Sequence, residues 1–153
     1  MTDNFNETDI LKDLIRVKRE CLLQLRDMGR KQLALIDGGN ITSLMDVLAA
    51  KQRPLVTLQR IERALNPFRN QDPERRNWRS AADRAQCAEQ IKQCETLLAE
   101  IVSREKCCEA ALIRRRDEAA ARLQGAHLAG QARHAYLPPA DASLPQVDLF
   151  SEK

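Results

Sequence analysis

The stretch CAEQIKQCETLLAEIVSREKCCEAAL, residues 87–112, carries apolar side chains at Cys87, Ile91, Cys94, Leu98 and Ile101. They return at Cys108 and Leu112, beyond a break at Glu105. The steps alternate four and three residues. A mean period of 3.5 keeps one stripe of a helix turned toward a partner along its whole length, which is the coiled-coil rule. A chain built this way presents long faces and few pockets. Such faces bind other helices more readily than they perform chemistry.

The helix that carries this seam has a clear start signal upstream. Asp72-Pro73-Glu74 places an N-cap carboxylate before a proline at the first helical position. No glycine follows until Gly125 and no proline until Pro138. A helix from Pro73 to about His127 would be roughly 80 Å long at 1.5 Å per residue.

Two shorter seams precede it. The first helix is expected from near Thr8 to Ile36, with Asp9 and Asp13 at the positive end of its dipole. Its apolar stripe reads Leu11, Leu14, Ile15, Cys21, Leu22, Leu25, Met28, Leu35 and Ile36, interrupted by Lys18 and Gln32. Asp37-Gly38-Gly39-Asn40 ends it: glycine supplies the left-handed cap and Asn40 caps the next helix. The second helix is expected from Ile41 to Leu65, with Ile41, Leu44, Val47, Leu48, Leu55, Leu58, Ile61 and Leu65 on one face. Pro54 inside it removes one backbone hydrogen bond, and Asn66-Pro67-Phe68 to Gln71 breaks the pattern.

Short connections make successive helices antiparallel. The expected fold is all-α: an antiparallel helical hairpin packed on part of a long third helix, as a coiled-coil-like bundle over residues 1–129. Residues 130–153, punctuated by Gly130, Pro138-Pro139 and Pro145, read as a flexible tail. The hairpin cannot cover the third helix along its whole length. The remainder must meet another chain, another copy, or a fold-back of its own C-terminal part.

Composition agrees. Among 153 residues Leu and Ala are twenty each, aromatics only 3% and charged residues 31%, a mixture that favours helices over a β-sandwich or barrel. The formal charge of +3 is modest and mixed in sign along the helices, so it does not argue for nucleic acid. No run approaches the length of apolar residues a membrane span needs. The start, MTDNFNETD, lacks the basic and apolar regions of a signal peptide. An odd cysteine count, five, inside helical patterns points to a reducing cytoplasm rather than a disulfide framework.

No catalytic, cofactor or metal site is expected. Cys87, Cys94 and Cys108 share a face, but residues seven apart on a helix are roughly 10 Å apart, too far to share one zinc. They read as core thiols. His127 and His134 have no nucleophile or carboxylate at catalytic spacing. Arg114-Arg115-Arg116 with Arg122, and Arg75, Arg76, Arg79 and Arg84 beside Trp78, read as solvated basic faces. Tyr136, the only tyrosine, lies outside the periodic core. It is either a docking anchor or a residue resting on the third helix.

In this order of elements the chain resembles the flagellar export chaperones of the FlgN type. The resemblance rests on a first long helix, the connection Asp37-Gly38-Gly39-Asn40, a second helix patterned Leu44, Leu48, Lys51, Leu55, Leu58, a long last helix, and a tail tyrosine in Arg133-His134-Ala135-Tyr136. It implies a cytoplasmic chaperone that is not an enzyme. Its cargo would be the amphipathic C-terminal helices of hook-associated, hook–filament junction, proteins, bound along the last helix at Leu112, Ile113, Leu123 and Leu128. It also implies docking of Tyr136 on the export gate. A separate resemblance lies at the end of the chain. Gln146-Val147-Asp148-Leu149-Phe150 is similar to the pentapeptide with which bacterial replication and repair proteins grip the sliding clamp, with Gln146, Leu149 and Phe150 as anchors. A structural coiled-coil scaffold is the third reading.

Overall fold

The structure, a computed structural model, describes residues 5–137. It contains α1 (Asn6–Asp37), α2 (Ile41–Arg69), a 3-10 turn (Pro73–Arg75) and α3 (Ala81–Ala135), with no strand among the described residues. The order of cross-helix contacts gives the topology. Lys18 pairs with Glu62, the Cys21 thiol with the Pro54 carbonyl, and Gln32 with Lys51; as α1 ascends, α2 descends. Asp9 pairs with Arg79, Lys12 with Asp83, Arg19 with Gln93 and Arg30 with Glu100; α3 runs parallel to α1. The three helices form an up-down-up bundle.

Its core has three layers. The first joins Leu11 and Ile15 of α1, Ile61 and Leu65 of α2, and Cys87 of α3. The second joins Leu22 and Leu25 to Cys94 and Leu97, with Leu58 and Ile101 against them. The third joins Ile36, Leu44, Cys108 and Ala111. The expected turn chemistry between α1 and α2 is present. Gly39 takes a left-handed backbone at φ 70°, and the Asn40 side chain accepts from the Ser43 N–H at 3.2 Å.

Four sequence expectations need correction. Asp72-Pro73 does not begin the long helix. Asp72 accepts from the Glu74 N–H at 3.0 Å and closes one 3-10 turn, after which Arg76 is extended. The long helix starts later, where Ser80 Oγ accepts from the Asp83 N–H at 3.0 Å. The extended link lets the Thr8 hydroxyl donate to the Asn77 carbonyl at 2.7 Å, which ties the start of α3 to that of α1.

Second, α2 does not stop at Asn66. It continues through Pro67 to Arg69, because a proline in a last turn costs one hydrogen bond and leaves the preceding turns intact. Third, α3 continues through Gly130 to Ala135, so Gly130 does not open the tail. The first compact unit ends at Leu112 and the second begins at Ile113.

Fourth, the seam of α3 is offset from the one read. Cys87, Cys94 and Cys108 are buried as expected, with Ile101 half-buried. Leu97 and Ala111 are buried in place of Leu98 and Leu112. Three after Cys87 stands the half-buried Gln90, but from Cys94 and Cys108 the residue three later packs with α1 side chains, on the line where Arg104 lies near Gly29. The residue four later turns toward α2, where Glu105 meets Lys51. A helix touching two neighbours needs both lines, and only the first is deep.

Candidate partner-binding surfaces

The polar residues that interrupt the seams meet one another inside the bundle. Lys51 is 8% exposed and Gln32 only 3%. The Lys51 ammonium donates to Gln32 Oε1 at 2.9 Å and to Glu105 Oε1, so one residue from each helix joins the same network. Lys18, the other interruption in α1, pairs with Glu62 at 2.8 Å. Burial pushes the Glu62 carboxyl up, but hydrogen bonds and charge from Lys18 and Arg69 outweigh it, and the net shift is downward. Its folded pKa lies below the unfolded value of about 4.3, so its contribution is present above that pH and lost as pH falls through the folded value. These interactions hold the register of the bundle. None of them addresses a ligand.

The bundle faces differ. The α1–α3 edge is closed by polar pairs. Just before α3, Arg79 grips Asp9 with three hydrogen bonds, two at 3.0 Å and one at 2.8 Å, and Arg30 reaches Glu100 at 2.9 Å. Between α1 and α2 lies a groove of about 590 Å³ lined by Val17, Cys21, Met28, Arg53, Pro54 and Thr57 among others. Its Cys21 thiol donates to the Pro54 carbonyl at 3.1 Å, and its Glu20 pairs with Arg16 at 3.0 Å. No three His, Cys, Asp or Glu side chains converge on a metal position among the described residues, and no helix is long and apolar enough to cross a membrane. On the outer flanks of α2 and α3, Ile41, Met45, Leu55, Leu98 and Val102 are exposed. Sequence reading placed Ile41, Leu55 and Leu98 in the core. On α3 the charge at Glu105, one heptad from both Leu98 and Leu112, was the available sign that this line is shallow.

The expected cargo residues lie on α3. Leu112 is the last residue of the first compact unit, exposed beside the buried Ala111. Ile113, Leu123 and Leu128 belong to the second, and all three are exposed, Leu123 at 72%. Leu128 is turned by about 140° from Leu123 and Ile113 by about 80°. Ile113, Leu123 and Leu128 are therefore spread around the helix. What does line up with Leu123 is Ala119, Ala126 and Gly130, at steps of four, three and four. Tyr136 follows the last helical residue and is 88% exposed. Gln146, Leu149 and Phe150 lie outside the described residues.

None of the described residues from 113 to 137 is buried, and none joins an apolar cluster. This helix depends on its own propensity. It is rich in Ala, Arg and Leu but contains Gly125 and Gly130, each costing about 1 kcal/mol against alanine in a helix interior. A Cβ at either position meets nothing within 4 Å. Gly125→Ala and Gly130→Ala are each expected to slow amide exchange across 113–135 several-fold, with no change in the bundle. Unchanged exchange in that segment would show that propensity is not what limits it.

No family model matches the chain, and neither does any curated protein or solved structure.

Proposed function

We propose that this chain is a cytoplasmic flagellar export chaperone of the FlgN type. In this reading it binds the amphipathic C-terminal helices of hook-associated proteins and hands them to the export gate. One observation carries the reading: a helical segment, 113–135, whose apolar side chains have no buried place among the described residues. An exposed apolar helix face is a site for another helix. Tyr136, exposed at the end of the helix, is the residue proposed to dock on the gate.

Co-purification of the full chain with hook-associated proteins tests this. Leu123→Asp should abolish capture, because a buried leucine contributes roughly 1.5–3 kcal/mol and a charge in its place must be desolvated. The melting temperature of the bundle should not move. Tyr136→Ala should leave capture intact and reduce secretion of the cargo. Capture of the sliding clamp instead, lost on changing Gln146, Leu149 and Phe150, would replace the reading with the clamp-binding one. Capture of neither would leave the scaffold.

A further inference from the structure

We infer that the free part of α3 selects an acid-flanked amphipathic helix, seated on the line Ala119, Leu123, Ala126, Gly130. This rests on the chaperone reading only for the identity of the site and adds the chemistry of its occupant.

The argument comes from where the charges stand around one helix. Residues 113–137 hold five arginines, Arg114, Arg115, Arg116, Arg122 and Arg133, against two acids, Asp117 and Glu118. At about 100° per residue, Arg115, Arg122 and Arg133 fall within about 20° of one another, along one flank of the seam. Arg116, His127 and His134 fall along the other flank. Asp117 and Glu118 are turned more than about 100° from the seam centre. Both engage arginines only at the exposed surface: Asp117 with Arg116 at 3.3 Å and Glu118 with Arg122 at 3.9 Å. Such pairs are weak and exchange readily for an interhelical partner.

The seam itself is narrow. Leu123 is its one large side chain, and alanines and a glycine on either side let another backbone approach closely. A second copy of this chain would set arginine flanks against arginine flanks, which like-charge repulsion disfavours. Nucleic acid would be met by the arginines but would leave the Leu123 line without a role. A helix with a small-and-leucine seam and glutamate or aspartate on both flanks satisfies both features.

The test uses the full chain and two synthetic amphipathic peptides with the same leucine-and-alanine seam, one flanked by glutamate and the other by lysine. Binding is followed by fluorescence anisotropy. Four flanking arginines at a few tenths of a kcal/mol each predict a preference for the glutamate peptide on the order of tenfold at low salt, shrinking as salt rises. The triple variant Arg115→Glu, Arg122→Glu, Arg133→Glu should reverse the preference, and Leu123→Asp should weaken both peptides. Circular dichroism at 222 nm checks that each variant keeps its helix.

Equal affinity for the two peptides, or a preference that survives the triple reversal, overturns the inference. So does a DNA duplex that binds more tightly than the glutamate peptide and is indifferent to Leu123→Asp. If hook-associated proteins bind through Leu123 but the peptides show no charge preference, this inference falls and the chaperone reading stands. If the glutamate peptide is preferred while hook-associated proteins do not bind, the reverse holds.

Discussion

Replacing Glu105 with alanine is expected to destabilise the bundle by about 2 kcal/mol, more than most single changes on a helix of this kind. The cost comes from Lys51. Its ammonium is buried, and its partners are the Gln32 amide at 2.9 Å and the Glu105 carboxylate. Without Glu105 the charge keeps one neutral acceptor. Stranding one ion of a fully buried pair costs about 3–5 kcal/mol. Glu105 is itself 44% exposed at its side chain, so solvent screens part of the pair and the lower figure applies.

Glu105→Gln keeps an acceptor and should cost about half as much. The concerted change Gln32→Leu, Lys51→Met, Glu105→Leu removes every polar group together. It should be at least as stable as the natural chain. What it should lose is unique register, because a single polar layer across three helices discriminates against sliding one helix by a heptad. Urea unfolding measures the first two variants. Broadened side-chain spectra or mixed oligomers would report the third. A Glu105→Ala variant within 0.5 kcal/mol of the natural chain, on the order expected of a surface pair, would refute the role given to this layer.

That network also shows where sequence reading stops. The heptad seams made the all-α bundle legible, and Gly39 and Asn40 made the first turn legible, because periodicity and caps are local. Lys18, Gln32 and Glu105 appeared only as flaws in two separate stripes. They acquire meaning when the helices align so that Lys18 meets Glu62 and Gln32 meets Lys51 and Glu105. The choice between Leu97 and Leu98, or Ala111 and Leu112, was likewise not local. Steps of three and four from a seam cysteine are equally helical, and only the sides on which α1 and α2 lie decide which is deep. Asp72-Pro73 misled because its cap is satisfied by one 3-10 turn as well as by a helix. The candidate site was half legible. Its location past the covered part of α3 followed from helix lengths alone. Its face did not, because Leu128 is apolar and near in sequence, yet sits on the far side from Leu123.

The steepest response to solution conditions is expected from the cysteines. Cys21, Cys87, Cys94 and Cys108 are buried, and Cys107 is exposed. Burial pushes the thiol of each of the four buried cysteines above its ordinary value. In the unfolded chain these thiols ionise near pH 8.5; in the folded chain they hold their protons to higher pH. The folded state therefore binds more protons in that window. The stability tied to the thiols is fully present below about pH 8.5 and lost as pH rises toward the folded values, at up to about 1.4 kcal/mol per pH unit for each thiol.

Urea unfolding at intervals from neutral pH to the onset of lysine titration measures this slope. The variant Cys87→Ala, Cys94→Ala should begin less stable by about 1 kcal/mol per site. Its stability should then fall less steeply, so that the two chains converge at high pH. Labelling gives an independent reading. At neutral pH a thiol reagent should modify Cys107 at once, and the other four only through unfolding, slower by a factor of about 10³ or more. A second fast thiol, or a slope indifferent to the double replacement, would mean that these cysteines do not occupy the dry seam on which α3 is held.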